Sequence, residues 1–277
     1  NGTSWSVLNM PFEGGSNSTY TKDYSSFDNN GAIIGATYNA TGGYDGKGAY
    51  KFNGANDYIN VSGTGEQDPD QLTISVWIKM DALTTTGVIY GHRSEATRLI
   101  QLTAQNSTDI RFQLRSSGNS IKQIINTSFD LTEWHHVVGV FDNINNYHAL
   151  YVDGQLSGTD TTDFGAETFT STIQAVGVTF APTKSSYFNG TIDEVQIFNR
   201  SLSPEQILAL YQNRTDLIVS QETSVGDNWS VCVTPNDGIE DGVRECSGNL
   251  TVVEEVNNVP VISDLIINST LGTNLTT

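Results

Sequence analysis

The sequence predicts an all-β fold, a sandwich of two antiparallel sheets. Apolar and polar residues alternate at period two over many short stretches. Gly, Asn and Asp interrupt those stretches at close intervals, and only one segment has helical spacing. Short strands joined by tight turns pack as two layers around a core.

Strands are expected at Leu72 to Met80, Val88 to Gly91, Leu99 to Leu102, Ile110 to Leu114, His135 to Phe141, Ala149 to Val152, Ala175 to Phe180 and Thr191 to Phe198. In the first of these, Leu72, Ile74, Val76 and Ile78 share one face, while Thr73, Ser75, Trp77 and Lys79 take the other. That strand should be buried against the opposing sheet, and Trp77 breaks its polar face. Asp153-Gly154 tolerates positive φ, which predicts a two-residue hairpin turn with Gln155 opening the return strand. The helical segment follows Ser203, a capping residue. Pro204 occupies the first helical position, Gln206 completes a capping box, and Ile207, Leu208, Leu210 and Tyr211 form an apolar face.

The 277 residues carry 31 Asp and Glu against 13 Lys and Arg, a net charge of −18. That is enough chain for one large β domain or two ordinary ones. The acidic balance repels phosphate backbones and anionic lipid heads, so no nucleic-acid partner is expected. No apolar run approaches the roughly 20 residues needed to span a bilayer, so membrane insertion is not expected either. The opening at Asn1, without Met or a cleavable signal, reads as a mature chain or a fragment.

Solubility comes mainly from uncharged groups, 25 Asn and 58 Ser plus Thr. Asn-X-Ser/Thr occurs thirteen times, at Asn1, Asn17, Asn39, Asn60, Asn106, Asn126, Asn189, Asn199, Asn213, Asn228, Asn249, Asn268 and Asn274, where random placement gives about five. The excess predicts covalent N-glycans and an extracellular, cell-surface location; chance accumulation in an Asn- and Thr-rich β protein is the alternative. Cys232 and Cys246, the only cysteines, flank Pro, Asn-Asp-Gly and Asp-Gly turn signals. A hairpin would set them side by side. A disulfide agrees with the sequons, and two buried thiols are the alternative.

Seven ordered pieces carry a family resemblance. They are L-N-M-P-F-E-G at 8 to 14, D-Y-S-S-F-D-N-N-G at 23 to 31, G-K-G-A-Y-K-F-N-G-A-N-D-Y-I at 46 to 59 and L-T-I-S-V-W-I-K at 72 to 79, then E-W-H-H-V-V-G-V-F-D at 133 to 142, L-Y-V-D-G at 150 to 154 and F-N-G-T-I-D-E-V-Q-I-F-N-R-S-L-S-P-E-Q-I at 188 to 207. Together they resemble the LamG-like, concanavalin A-like jelly-roll domain, which would span residues 5 to 212. The resemblance implies a structural Ca²⁺ near Asp23 and Asp193, with backbone carbonyls completing an oxygen shell and Asp28 and Asn29 as further donors. The alternative is that both aspartates cap turns through their own hydrogen bonds.

Beyond Arg214 the texture changes. Residues 216 to 220, 228 to 238 and 243 to 253 read as three strands, and 259 to 268 as a fourth. This stretch resembles the late strands of Ig-like modules found in tandem on archaeal surface proteins. In that scheme residues 1 to 4 end an Ig-like strand, 213 to 256 supply late strands, and 257 to 277 form a linker and the first strand of a following module, or a donor strand. Three strands are too few for an Ig-like sandwich, which takes about seven.

Catalytic constellations are sparse. Glu66, Asp68 and Asp70 lie in a Pro-containing loop with Gln71 where a further carboxylate is needed, and Asp193-Glu194 should point to opposite faces of their strand. His135 and His136 likewise alternate and lack spaced metal partners; His92 and His148 are solitary. Asn236 to Gly238 and Glu240 to Gly242 offer too few oxygen donors for a tight Ca²⁺ loop, and an acidic hairpin tip is expected there. The expected function is therefore non-enzymatic: a glycosylated structural or adhesive module that joins other copies of itself head to tail by strand complementation or tandem repetition. The alternative is a carbohydrate-binding lectin module, with Tyr44, Tyr90, Tyr147 and Tyr187 as candidate platforms.

Overall fold

The structure is a computed structural model that describes residues 6–61, 70–81, 86–94, 99–116, 120–163, 172–181, 183–214, 223–235 and 241–254. Two eight-stranded sheets make the body. The first runs, edge to edge, through Gln155–Asp160, Tyr147–Val152, His135–Asp142, Gln71–Met80, Asn189–Phe198, Ala49–Asn53 and Thr37–Asn39, with Ser6–Met10 also paired to Asn189–Phe198. The second runs through Ile121–Thr127, Asp109–Arg115, Leu99–Ala104, Gly87–Ser94, Thr172–Val176, Tyr58–Val61, Gly31–Ile34 and Tyr20–Thr21. Every strand pair in them is antiparallel, as a jelly-roll sandwich requires.

Alternation decides which face is buried. Leu72, Ile74, Val76 and Ile78 enter the main core with Phe52, Ile100, Leu102, Phe112 and Ile197, all at most 1% exposed. Close packing there leaves no room at Gly139, where an added Cβ would stand 2.6 Å from the Phe112 ring. A second, smaller cluster lies on the outer side of the first sheet, where Val138, Val140, Ala149 and Tyr151 meet Leu202 and Ile207. The helix Pro204–Tyr211 closes it, and Ser203 and Gln206 form the reciprocal capping box. The predicted hairpin is present too, with Asp153 and Gly154 at φ 51° and 73°.

Two departures have local causes. The run expected from Ala175 to Phe180 breaks into Thr172–Val176 and Thr179–Ala181, because Gly177 turns at φ 87°. On Asn189–Phe198 the register against Gln71–Met80 shifts between Asp193 and Gln196, and Glu194 takes φ 49°. Ile192 and Val195 both face the core, so Asp193 and Glu194 lie between two inward residues on the same, outer side. This β-bulge corrects the expectation that the two carboxylates point to opposite faces.

Past the helix, Cys232 and Cys246 are opposite each other in a two-stranded ladder and form a disulfide. Asn228–Trp229 and Leu250–Thr251 continue the same antiparallel hairpin. Asp241 ties it to the body through an ion pair with Lys22 and a hydrogen bond from the Tyr24 hydroxyl at 3.0 Å. The strand expected at 216 to 220, the donor segment 257 to 277 and residues 1 to 4 lie outside the described residues.

Candidate functional site

A cleft of about 210 Å³ opens on the outer side of the first sheet, between the helix and the loop that carries Tyr44. Its floor is the polar face of Gln71–Met80. Ser75 and Trp77 point outward there because their neighbours point inward, and Gln196 and Phe198 do the same on the adjacent strand. Trp77 is the centre of an aromatic stack: Tyr44 lies over it at 4.0 Å and 4°, and Tyr211 flanks it at 5.7 Å and 21°. The Trp77 and His136 rings are 5.3 Å apart.

The Tyr44 loop is held by close backbone approach. Gly48 packs so tightly on Phe12 that a Cβ would sit 2.1 Å from its carbonyl oxygen. Asp193, fully buried, accepts the Tyr44 N–H at 3.0 Å through Oδ2 and the Glu194 N–H at 2.9 Å through Oδ1. Burial, reinforced by the nearby Glu13 and Asp45 charges, raises the Asp193 carboxyl to about 8. The same causes raise Glu194 to about 8, and burial raises Glu13 to about 7. Of these acids Glu194 alone lines the cleft. His136 Nε2 and the Ser75 hydroxyl are 2.8 Å apart, and burial lowers the imidazole to about 4, leaving it neutral.

The two aspartates of the calcium expectation share no hydrogen-bonding partner. Asp23 Oδ1 accepts from the N–H groups of Asn9 and Ser25, and Oδ2 from the Ser25 hydroxyl and the Asn29 N–H. That is the turn-capping arrangement, with four donors already facing the carboxylate. Among the described residues no three His, Cys, Asp or Glu side chains converge on a point that would hold a metal. Asp23 thus caps its own turn, while Asp193 holds the Tyr44 loop.

The remaining candidates separate by burial. Tyr90 is 0% exposed with its hydroxyl on Gln174, so its place in the core corrects its reading as a platform. Tyr147 meets the Tyr151 hydroxyl at 3.1 Å, Tyr187 bridges Val88, and Tyr44 alone of the four lines the cleft. His135 pairs with Asp153 at 2.7 Å, on a strand position opposite in face to His136. Asp70 is exposed, and residues 62–69 and 236–240 lie outside the described residues. Of the sequon asparagines, Asn17, Asn39, Asn60, Asn199, Asn213, Asn228 and Asn249 are exposed and Asn106, Asn126 and Asn189 half-buried, while Asn1, Asn268 and Asn274 are not described. Sequence reasoning missed the roles of Tyr211, read only within an apolar helix face, and of His136. The one signal pointing here was a Trp on an otherwise polar strand face.

A family model described as the concanavalin A-like lectin/glucanases superfamily matches residues 53–208. Among solved structures, the receptor binding domain of botulinum neurotoxin D matches with a TM-score of 0.57 at 18% identity, over 76% of this chain and 53% of its own. The botulinum neurotoxin serotype D ligand binding domain in complex with N-acetylneuraminic acid matches with a TM-score of 0.58 at 18% identity, over 76% and 51%. The botulinum neurotoxin serotype G binding domain matches with a TM-score of 0.59 at 13% identity, over 95% and 70%. The chain thus spans about half the length of the serotype D structures, and the likeness is one of fold. No curated protein sequence matches.

Proposed function

Because the chain belongs to the concanavalin A-like lectin/glucanase superfamily, whose model covers more than half of it, we propose that it acts outside the cell as a non-catalytic carbohydrate-binding module. The observation that carries this reading is the cleft at Trp77. A pyranose presents an apolar face of C–H groups and a rim of hydroxyls. Tyr44 and Trp77 offer ring surface to the first, and Gln196 and Gln206 offer planar amides to the second. A sugar-bound neurotoxin domain of the same fold supports the choice of ligand class. Hydrolysis is disfavoured, since it takes two carboxylates flanking the bond at about 5 to 10 Å. Among the described residues only Glu194 lines the cleft, and Asp193 is spent holding Tyr44. The disulfide and the sequon excess support an oxidising, extracellular setting.

The test is titration with a panel of oligosaccharides. The intact protein should bind at least one, and Tyr44→Ala should weaken that binding about tenfold or more while the melting temperature stays within a few degrees. Flat signals across the panel for the parent protein, both as glycosylated and after enzymatic removal of its N-glycans, would rule the reading out.

A second reading, adhesion or filament formation by head-to-tail contact, is favoured by the C-terminal hairpin. Val231, Val233, Val243 and Leu250 there are 64%, 61%, 77% and 74% exposed. Apolar strands with open edges invite a further strand, which the apolar segment 259 to 268 of another Ig-like copy would supply. A contact between two different surfaces does not close on itself and gives a filament. If deletion of residues 257 to 277 leaves polymers of unchanged length, this reading fails.

A further inference from the structure

The rim of the cleft carries Asn213, the acceptor of Asn213-Arg214-Thr215. Helix Pro204–Tyr211 ends in Gln212, and Asn213 follows in the left-handed region at φ 51°, with its N–H donating to the Leu210 carbonyl at 3.1 Å. That position suits Asn and fixes the backbone. The side chain is exposed and hydrogen-bonds to no described residue. Two other sequons differ: the Asn106 amide nitrogen donates to Asp109 at 2.7 Å, and that of Asn126 to the Ser157 hydroxyl. Asn213 therefore presents a free amide from a rigid anchor, at the mouth of an aromatic cleft.

We infer that the N-glycan on Asn213 folds back into the cleft and is its resident ligand, so that modification of this one asparagine sets whether the cleft is open to outside sugars. The inference rests on reading the cleft as a sugar site. A single sugar against a small aromatic wall binds weakly, and weak binding suffices here. A ligand tethered at the rim has an effective concentration in the ~mM range, so an intrinsic Kd of about the same size already fills the site. An outside sugar must compete with that tethered one. The arrangement also covers what remains exposed of Trp77 and Tyr44, both half-buried, without any second protein.

The experiment uses the full chain from an N-glycosylating host, with glycan at Asn213 verified by mass spectrometry. Thr215→Ala removes the sequon and keeps Asn213 at the helix end; Asn213→Gln is the second variant, and Asn17→Gln the control at a sequon that does not line the cleft. Hydroxyl-radical footprinting should show Trp77 and Tyr44 oxidised several-fold more slowly in the parent and in Asn17→Gln than in the two Asn213 sequon variants. Titration with free oligosaccharides should show those two variants binding about tenfold or more tightly than the parent. Equal oxidation in all four proteins overturns the inference, as does an Asn213 that carries no glycan. If parent and variants bind oligosaccharide equally, the tethered ligand is wrong and the lectin reading stands. If Trp77 is protected by the glycan yet no variant binds any free sugar, the tethered ligand stands and recognition of outside glycans fails.

Discussion

Buried titratable side chains set how the molecule responds to pH. Burial lowers His92, His136 and His148 to about 4 from an ordinary 6.5. The folded chain holds them neutral while the unfolded chain takes up protons, so their contribution is full above about 6.5 and is lost as pH falls toward 4. The carboxyls of Glu13, Asp193 and Glu194 work the other way. Raised to about 7, 8 and 8, they keep protons that the unfolded chain gives up near 4.5 for the glutamates and 3.8 for Asp193, and their contribution is lost as pH rises through 7 to 8. Between 4.5 and 6.5 the two sets oppose each other; above 6.5 the acids act together with His135, whose imidazole is raised by its hydrogen bond to Asp153. Urea unfolding should therefore find stability nearly level between about pH 4.5 and 6.5 and falling above that window. Glu194→Gln should reduce the loss between pH 6.5 and 8, and an unchanged slope would contradict this account of the acids.

At the scale of elements, the strands whose alternation is strict were legible. Gln71–Met80 follows its expected bounds to within a residue, and its faces divide as the pattern requires. The capping box and the Asp153-Gly154 turn were legible because each depends on a few adjacent residues. Three features were not. Ile121–Thr127 buries only Ile124 and pairs at a sheet edge, so its sequence lacks an apolar face. The bulge at Asp193 and Glu194 depends on register against a strand more than a hundred residues away. The cleft joins Tyr44, Trp77 and Leu210 from a loop, a strand and a helix, and no local spacing announces their meeting. Two substitutions test these elements. Ser203→Ala removes the helix cap and should cost about 1 kcal/mol, read as a lower melting temperature. Gly48→Ala forces a methyl against the Phe12 carbonyl and should cost about 1–3 kcal/mol while weakening sugar binding through displacement of Tyr44.

At the scale of the molecule, neither apolar cluster contains a residue beyond Leu210 among the described residues. The C-terminal hairpin is thus stabilised mainly by its own ladder and by the Cys232–Cys246 bond, whose separation of 14 residues suggests about 3 kcal/mol. Reduction should speed amide exchange at Val233 and Glu245 and leave the main thermal transition in place. If the main transition falls with it, the hairpin and the sandwich are one cooperative unit. The pairing of Ser6–Met10 with Asn189–Phe198 has a mechanical consequence. Ser6 sits opposite Phe198, so the chain enters and leaves the sandwich at one corner. Tension applied there loads the ladder from its open end, and its hydrogen bonds break in succession, as in a zipper. Strands pulled along their length in opposite directions would instead share the load over every bond. Single-molecule stretching between residues 6 and 198 should accordingly peel Ser6–Met10 away at low force before the core yields, making this corner the sandwich's first point of give.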